Sequence, residues 1–72
     1  MRYRIYSEWE QRPSVEYRET AQAAILRAEY LIERGAAGVE IWDEQNADRV
    51  YLPWQFYELL QATGLSTRAV SR

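Results

Sequence analysis

An apolar stripe recurring at three- and four-residue steps, Ala21, Ala24, Ile25, Ala28, Leu31 and Ile32, constrains this chain more than any other feature. That spacing puts the side chains on one side of an α-helix, and such a side must be buried against something. Thr20 precedes the stripe as an N-cap, and Gly35 follows it where a left-handed residue ends a helix. Gln22, Glu29 and Glu33 fall on the wet side. The alanines allow this helix, residues 20–34, to lie close on whatever it covers.

What it covers is written in period two. From Arg2 to Glu10, Tyr3, Ile5 and Trp9 share one face, and Arg2, Arg4, Tyr6, Glu8 and Glu10 the other. Alternation of aromatic and β-branched residues with polar ones marks a half-buried strand. Gln11 to Ser14 contains Pro13 and reads as a turn; Val15 to Arg18 then returns, with Val15 and Tyr17 on the covered face. Beyond the helix, Val39 to Asp43 alternates with Val39 and Ile41 inward, and Glu40 and Trp42 outward. A polar loop, Glu44 to Asp48, leads into Arg49 to Leu52, where Val50 and Leu52 are assigned inward and Arg49 and Tyr51 outward. Pro53 opens a short helix, 53–62, whose apolar side is Phe56, Leu59 and Leu60, and Gly64 stops it. The expected fold is one α+β domain over residues 1–64 in the order ββαββα, followed by a C-terminal tail, 65–72. A small antiparallel four-stranded sheet carries the amphipathic helix on one face.

Composition then narrows function. At 72 residues the chain supports one core, and a domain of this size buries only about 60% of its unfolded surface. It has no Cys and no His, which removes thiolate and imidazole chemistry, disulfides and the usual zinc and iron sites. The carboxylates Asp43, Glu44 and Asp48 crowd one loop without the ligand spacing of a calcium loop, and read as solvated charge. No Lys is present to complete a phosphate loop. Catalytic residues, metal ligands and cofactors are therefore not expected, and neither is an enzyme. With no run of 18 apolar residues and no signal-peptide pattern, a soluble, cytoplasmic protein is expected.

What remains is binding. All nine basic residues are Arg, a bias a GC-rich genome also produces, and aromatics make up 14% of the chain. The pleat as assigned places Trp42, Tyr51, Arg49, Tyr6, Arg4 and Glu40 on the uncovered face of the sheet, the residue types that dominate protein–protein contacts. Those six are the candidate protein-binding residues, with Trp42 foremost. Three arrangements are compatible with the pattern: the face stays in water and its aromatic and charged neighbours only pair across strands, helix 53–62 lies over this face and makes Trp42 core, or the face stays open and docks a partner or a second copy. The net charge of −2 disfavours nucleic acid, since phosphate binding wants positive charge.

Two resemblances bear on the partner. The hairpin, alanine-rich helix with Gly35 behind it, and second hairpin, spanning residues 2–52, resemble the layout of small phage and bacterial accessory proteins, some anti-CRISPR proteins among them. That likeness implies a phage-type inhibitor that works by surface complementarity without chemistry. Residues 56–72 resemble the heart of a helix-turn-helix, with Gly64, Leu65, Ser66 and Val70 at matching steps. That likeness implies a DNA-binding regulator in which Thr67, Arg68 and Ser71 face DNA.

Overall fold

The first hairpin decides which residues face which way. In the computed structural model, which describes residues 2–47 and 49–62, β1 (Tyr3–Trp9) and β2 (Arg12–Arg18) are joined by two residues only. Glu10 and Gln11 have φ of 49° and 68°, the paired left-handed conformation of a type I′ turn. The turn expected at Gln11–Ser14 is thus shorter and earlier, and Pro13 lies within β2. Pro13 is tolerated there because β2 is an edge strand, so its missing N–H interrupts no inner ladder.

A two-residue turn pairs residues of opposite parity, from Trp9 with Arg12 to Tyr3 with Arg18. Cross-strand partners share a face, so Glu16 and Arg18 stand beside Ile5 and Tyr3, while Val15 and Tyr17 stand beside Tyr6 and Arg4. The assignment of Val15 and Tyr17 to the covered face is therefore corrected: they are 47% and 38% exposed on the opposite one. Glu16 turns under the helix instead, where it accepts two hydrogen bonds from the Arg27 guanidinium at 2.9 and 3.1 Å.

Helix α1 (Ala21–Glu33) lies across β1 and β3 and reaches β2 through that ion pair. Thr20 Oγ1 accepts from the Ala23 N–H at 3.1 Å, as its N-cap role requires. At the other end Gly35, at φ 102°, makes the Schellman closure: its N–H reaches the Ile32 carbonyl, and the Ala36 N–H the Leu31 carbonyl, both at 3.0 Å. Ala21, Ala24, Ile25, Ala28 and Leu31 are buried as the stripe predicts. Ile32 is not; it is 39% exposed, because it lies on the flank of a helix that only one sheet face covers.

Strand β3 (Ala37–Asp43) runs antiparallel to β1, with a register shift between Tyr6 and Glu8. Gly38, at φ 60°, sits at this bulge, where a left-handed residue absorbs the extra position and resets the alternation. A five-residue loop then leads to β4 (Arg49–Tyr51), giving the sheet order β2-β1-β3-β4. An odd loop pairs residues of like parity: Ile41 with Tyr51, Trp42 with Val50, Asp43 with Arg49. Tyr51 consequently enters the core at 1% exposure, and Val50 takes the uncovered side. The outward assignment of Tyr51 and Arg49 is corrected accordingly.

The chain then makes a 3-10 turn, Pro53–Gln55, in which the Gln55 side chain accepts from the Leu52 N–H at 3.1 Å. Helix α2 (Phe56–Ala62) follows and inserts Phe56 and Leu59 into the same core as α1, Tyr3, Ile5, Ile41 and Tyr51. Both helices thus lie on one side of the sheet. At the end of β3, Asp43 is 2% exposed, not the solvated loop carboxylate expected from its neighbours. Arg2 folds back to bind it with two hydrogen bonds of 3.1 Å, which withdraws Arg2 from the uncovered face. That pairing raises the Arg2 pKa further above its ordinary value. No described helix is long and apolar enough to cross a membrane.

Candidate binding face of the sheet

With both helices on one side, the other side of the sheet is bare among the described residues. The register lays its side chains out in rows. Tyr17, Arg4, Trp42 and Val50 form one row across all four strands; Val15, Tyr6 and Glu40 form the next. Between these rows is an open depression of about 270 Å³ lined by Arg4, Tyr6, Val15, Glu40 and Trp42.

Two aromatic rings here, Trp42 and Tyr6, are held by polar contacts. The Trp42 indole N–H donates to Glu40 Oε1 at 2.9 Å, and the Arg4 guanidinium lies 4.7 Å above the ring. Arg4 is anchored in turn by Glu44 at 3.3 Å. The Tyr6 hydroxyl donates to Glu8 Oε2 at 2.8 Å. That hydrogen bond raises the Tyr6 pKa, with smaller contributions from burial and from the charges of Glu8 and Glu40. The phenol therefore stays a protonated donor. Rings fixed in this way present area at little conformational cost to a partner, which is why Tyr, Trp and Arg dominate interface energetics. No group of three or more metal-ligating side chains occurs among the described residues.

Of the six candidate residues, Arg4, Tyr6, Glu40 and Trp42 converge on this face. Tyr51 and Arg49 do not: Tyr51 is core, and Arg49 stacks on it at 4.8 Å while binding Glu58 at 3.3 Å on the helix side. Val15, Tyr17 and Val50 belong to the face, against the inward direction that their hydrophobicity suggests; the number of residues in each hairpin loop is the sequence signal that places them. Thr67, Arg68 and Ser71, the DNA-facing residues implied by the helix-turn-helix resemblance, lie outside the described residues, as does the tail 65–72.

The sheet edges offer less than its face. In a two-residue hairpin Trp9 and Arg12 form the hydrogen-bonded pair, so Pro13, Val15 and Tyr17 aim their backbone groups outward. Pro13 has no N–H to give, and the Tyr17 carbonyl already accepts from Arg18 Nη1 at 2.7 Å. An edge blunted in this manner resists addition of another strand. Edge strand β4 is only three residues long. Three further exposed aromatics, Trp54 at 70%, Tyr57 at 55% and Tyr30 at 45%, belong to the 3-10 turn, α2 and α1, on the helix side of the molecule. Comparison with family models, with curated proteins and with solved structures finds no match to this chain.

Proposed function

We propose that this chain is a small protein-binding module that docks a partner flat on the uncovered face of its sheet and carries out no chemistry. One observation carries the reading: a complete sheet face, with Trp42 and Tyr6 fixed by hydrogen bonds and Val15 and Tyr17 exposed beside them, has no covering element among the described residues. Contiguous apolar surface rimmed by polar groups on a small domain is characteristic of an interaction site. The blunted β2 edge favours docking on the face over strand addition. A module of this kind acts by occupying a surface of its target, the mode that the layout resemblance to phage-type inhibitors implies.

The test compares capture by four versions of the protein: wild type, Trp42→Ala, Tyr6→Ala and, as control, Leu26→Ala on the exposed side of α1. A partner bound through this face is lost by both face variants, each at a cost of about 2 kcal/mol or more if they are central contacts, and kept by the control. A partner retained by both face variants and lost with Leu26→Ala would place the site on the helix.

A further inference from the structure

Resting on that reading, we infer that the partner presents a cationic segment: an apolar side chain flanked by Arg or Lys. Among the described residues the ion pairs are gathered mainly on one side of the sheet. Arg2, Arg18, Arg27 and Arg49 each bind a carboxylate on the helix side or at its margins: Asp43, Glu16, Glu16 and Glu58 respectively. Among the described residues the uncovered face keeps one cation, Arg4, and that cation is committed to Glu44 and the Trp42 ring.

Glu8 and Glu40 are left over. Among the described residues neither forms an ion pair; each accepts a hydrogen bond only from a neutral donor, the Tyr6 hydroxyl and the Trp42 indole respectively. A carboxylate has room for several donors, so one neutral hydrogen bond orients it and leaves its charge uncompensated. Both act on one place, since the charges of Glu8 and Glu40 each help to hold the proton on Tyr6. The face therefore carries a depression lined by Tyr6, Val15 and Trp42 together with Arg4 and Glu40, and two oriented carboxylates, Glu8 and Glu40, that have no ion-pair partner among the described residues.

Charge complementarity selects the occupant. A second copy seated on this face would set Glu8 and Glu40 against their own counterparts with, among the described residues, only the engaged Arg4 to offset them. Nucleic acid would bring phosphates to the same carboxylates. A protein segment with basic side chains on either side of an apolar one satisfies both features: its apolar group fills the depression between Tyr6, Val15 and Trp42, and its cations reach Glu8 and Glu40. Such pairing acts on encounter rate and specificity more than on raw affinity, and weakens with salt.

The experiment selects short peptides from an unbiased displayed library on the wild-type protein, with counter-selection against Trp42→Ala. The expected result is a consensus of Arg or Lys around an apolar residue. The selected peptides should bind the Glu8→Gln/Glu40→Gln variant about tenfold more weakly, lose affinity as salt rises, and shift the Trp42 indole N–H resonance on titration. Because Glu8 and Glu40 are surface carboxylates, this variant keeps the fold, which its amide spectrum checks. A neutral or acidic consensus, or peptides indifferent to the two Glu→Gln changes, overturns the cationic partner and leaves the docking face standing. Failure to enrich any peptide that depends on Trp42 overturns both. Sedimentation of the protein as a dimer whose dissociation follows Trp42→Ala replaces the basic segment with a second copy.

Discussion

Replacing Glu10-Gln11 by Asn-Gly should stabilise this protein, because two ordinary L-residues now hold a turn that asks for left-handed backbone. Their φ values of 49° and 68° place both in a region that costs an L-residue roughly 1–2 kcal/mol. Glycine at position 11 removes that cost and returns about 0.5–1 kcal/mol as extra freedom of the unfolded chain. Asparagine at position 10 tolerates the conformation better than glutamate, and Asn-Gly is the preferred pair for a type I′ turn. The net expectation is a gain of about 1 kcal/mol, or roughly 4–8 °C in Tm for a domain of this size. Thermal unfolding followed by circular dichroism reads the Tm, and urea titration should show a higher midpoint at unchanged slope. A lower Tm, or a changed slope, would mean that the turn is not a two-residue one. The parity of the hairpin would fall with it, and so would the placement of Val15 and Tyr17 on the docking face.

Two further outcomes test other parts of the structure. Tyr51→Ala should cost about 3–5 kcal/mol, as expected for emptying a core aromatic site, whereas Trp42→Ala should cost about 1–2 kcal/mol, because its partly buried ring lies outside the core and loses mainly the Arg4 and Glu40 contacts. A 72-residue domain holds roughly 4–11 kcal/mol in all, so urea melts will separate the two variants clearly, and equal costs would contradict the assignment of faces. Burial raises the Tyr3 pKa, partly opposed by Arg2, and the hydrogen bond to Glu8 raises that of Tyr6. Both folded values exceed the unfolded one, so their contribution to stability is full below about pH 10 and is lost as pH rises past it. Alkaline absorbance titration should show that Tyr3→Phe and Tyr6→Phe each remove a late-ionising phenol and that Glu8→Gln advances that of Tyr6; loss of an ordinarily titrating phenol in either variant would refute this.

The parts of the fold that were legible in the sequence were those with many repeats of one period. Helix α1 carries its stripe over more than three turns and is closed by Thr20 and Gly35, so its place and most of its buried side followed directly. Strands β1 and β3 alternate long enough to fix Ile5, Ile41 and Trp42. The short strands were different. In β2, Val15 and Tyr17 look more apolar than Glu16 and Arg18, and hydrophobicity alone sends them inward. They face outward because the loop between β1 and β2 has an even number of residues, which couples opposite parities, and because Arg27 gives Glu16 a partner beneath the helix. In β4 the choice lay between Val50 and Tyr51, both apolar. The five-residue loop, already bounded as Glu44 to Asp48, dictated that Tyr51 join Ile41. Four of the six proposed contact residues keep their expected place on the uncovered face because they lie on the two long central strands; the two that do not, Arg49 and Tyr51, lie on the shortest.

A partner seated on the face bearing Trp42 and Tyr17 can be probed directly, because the chain has no cysteine of its own. Single Tyr17→Cys, Val50→Cys and Leu26→Cys variants would be labelled with a thiol reagent, alone and with the captured partner bound. Fast labelling of all three in the free protein, with positions 17 and 50 protected in the complex and position 26 unchanged, is the predicted result. Protection at 26 with 17 and 50 still reactive would contradict it.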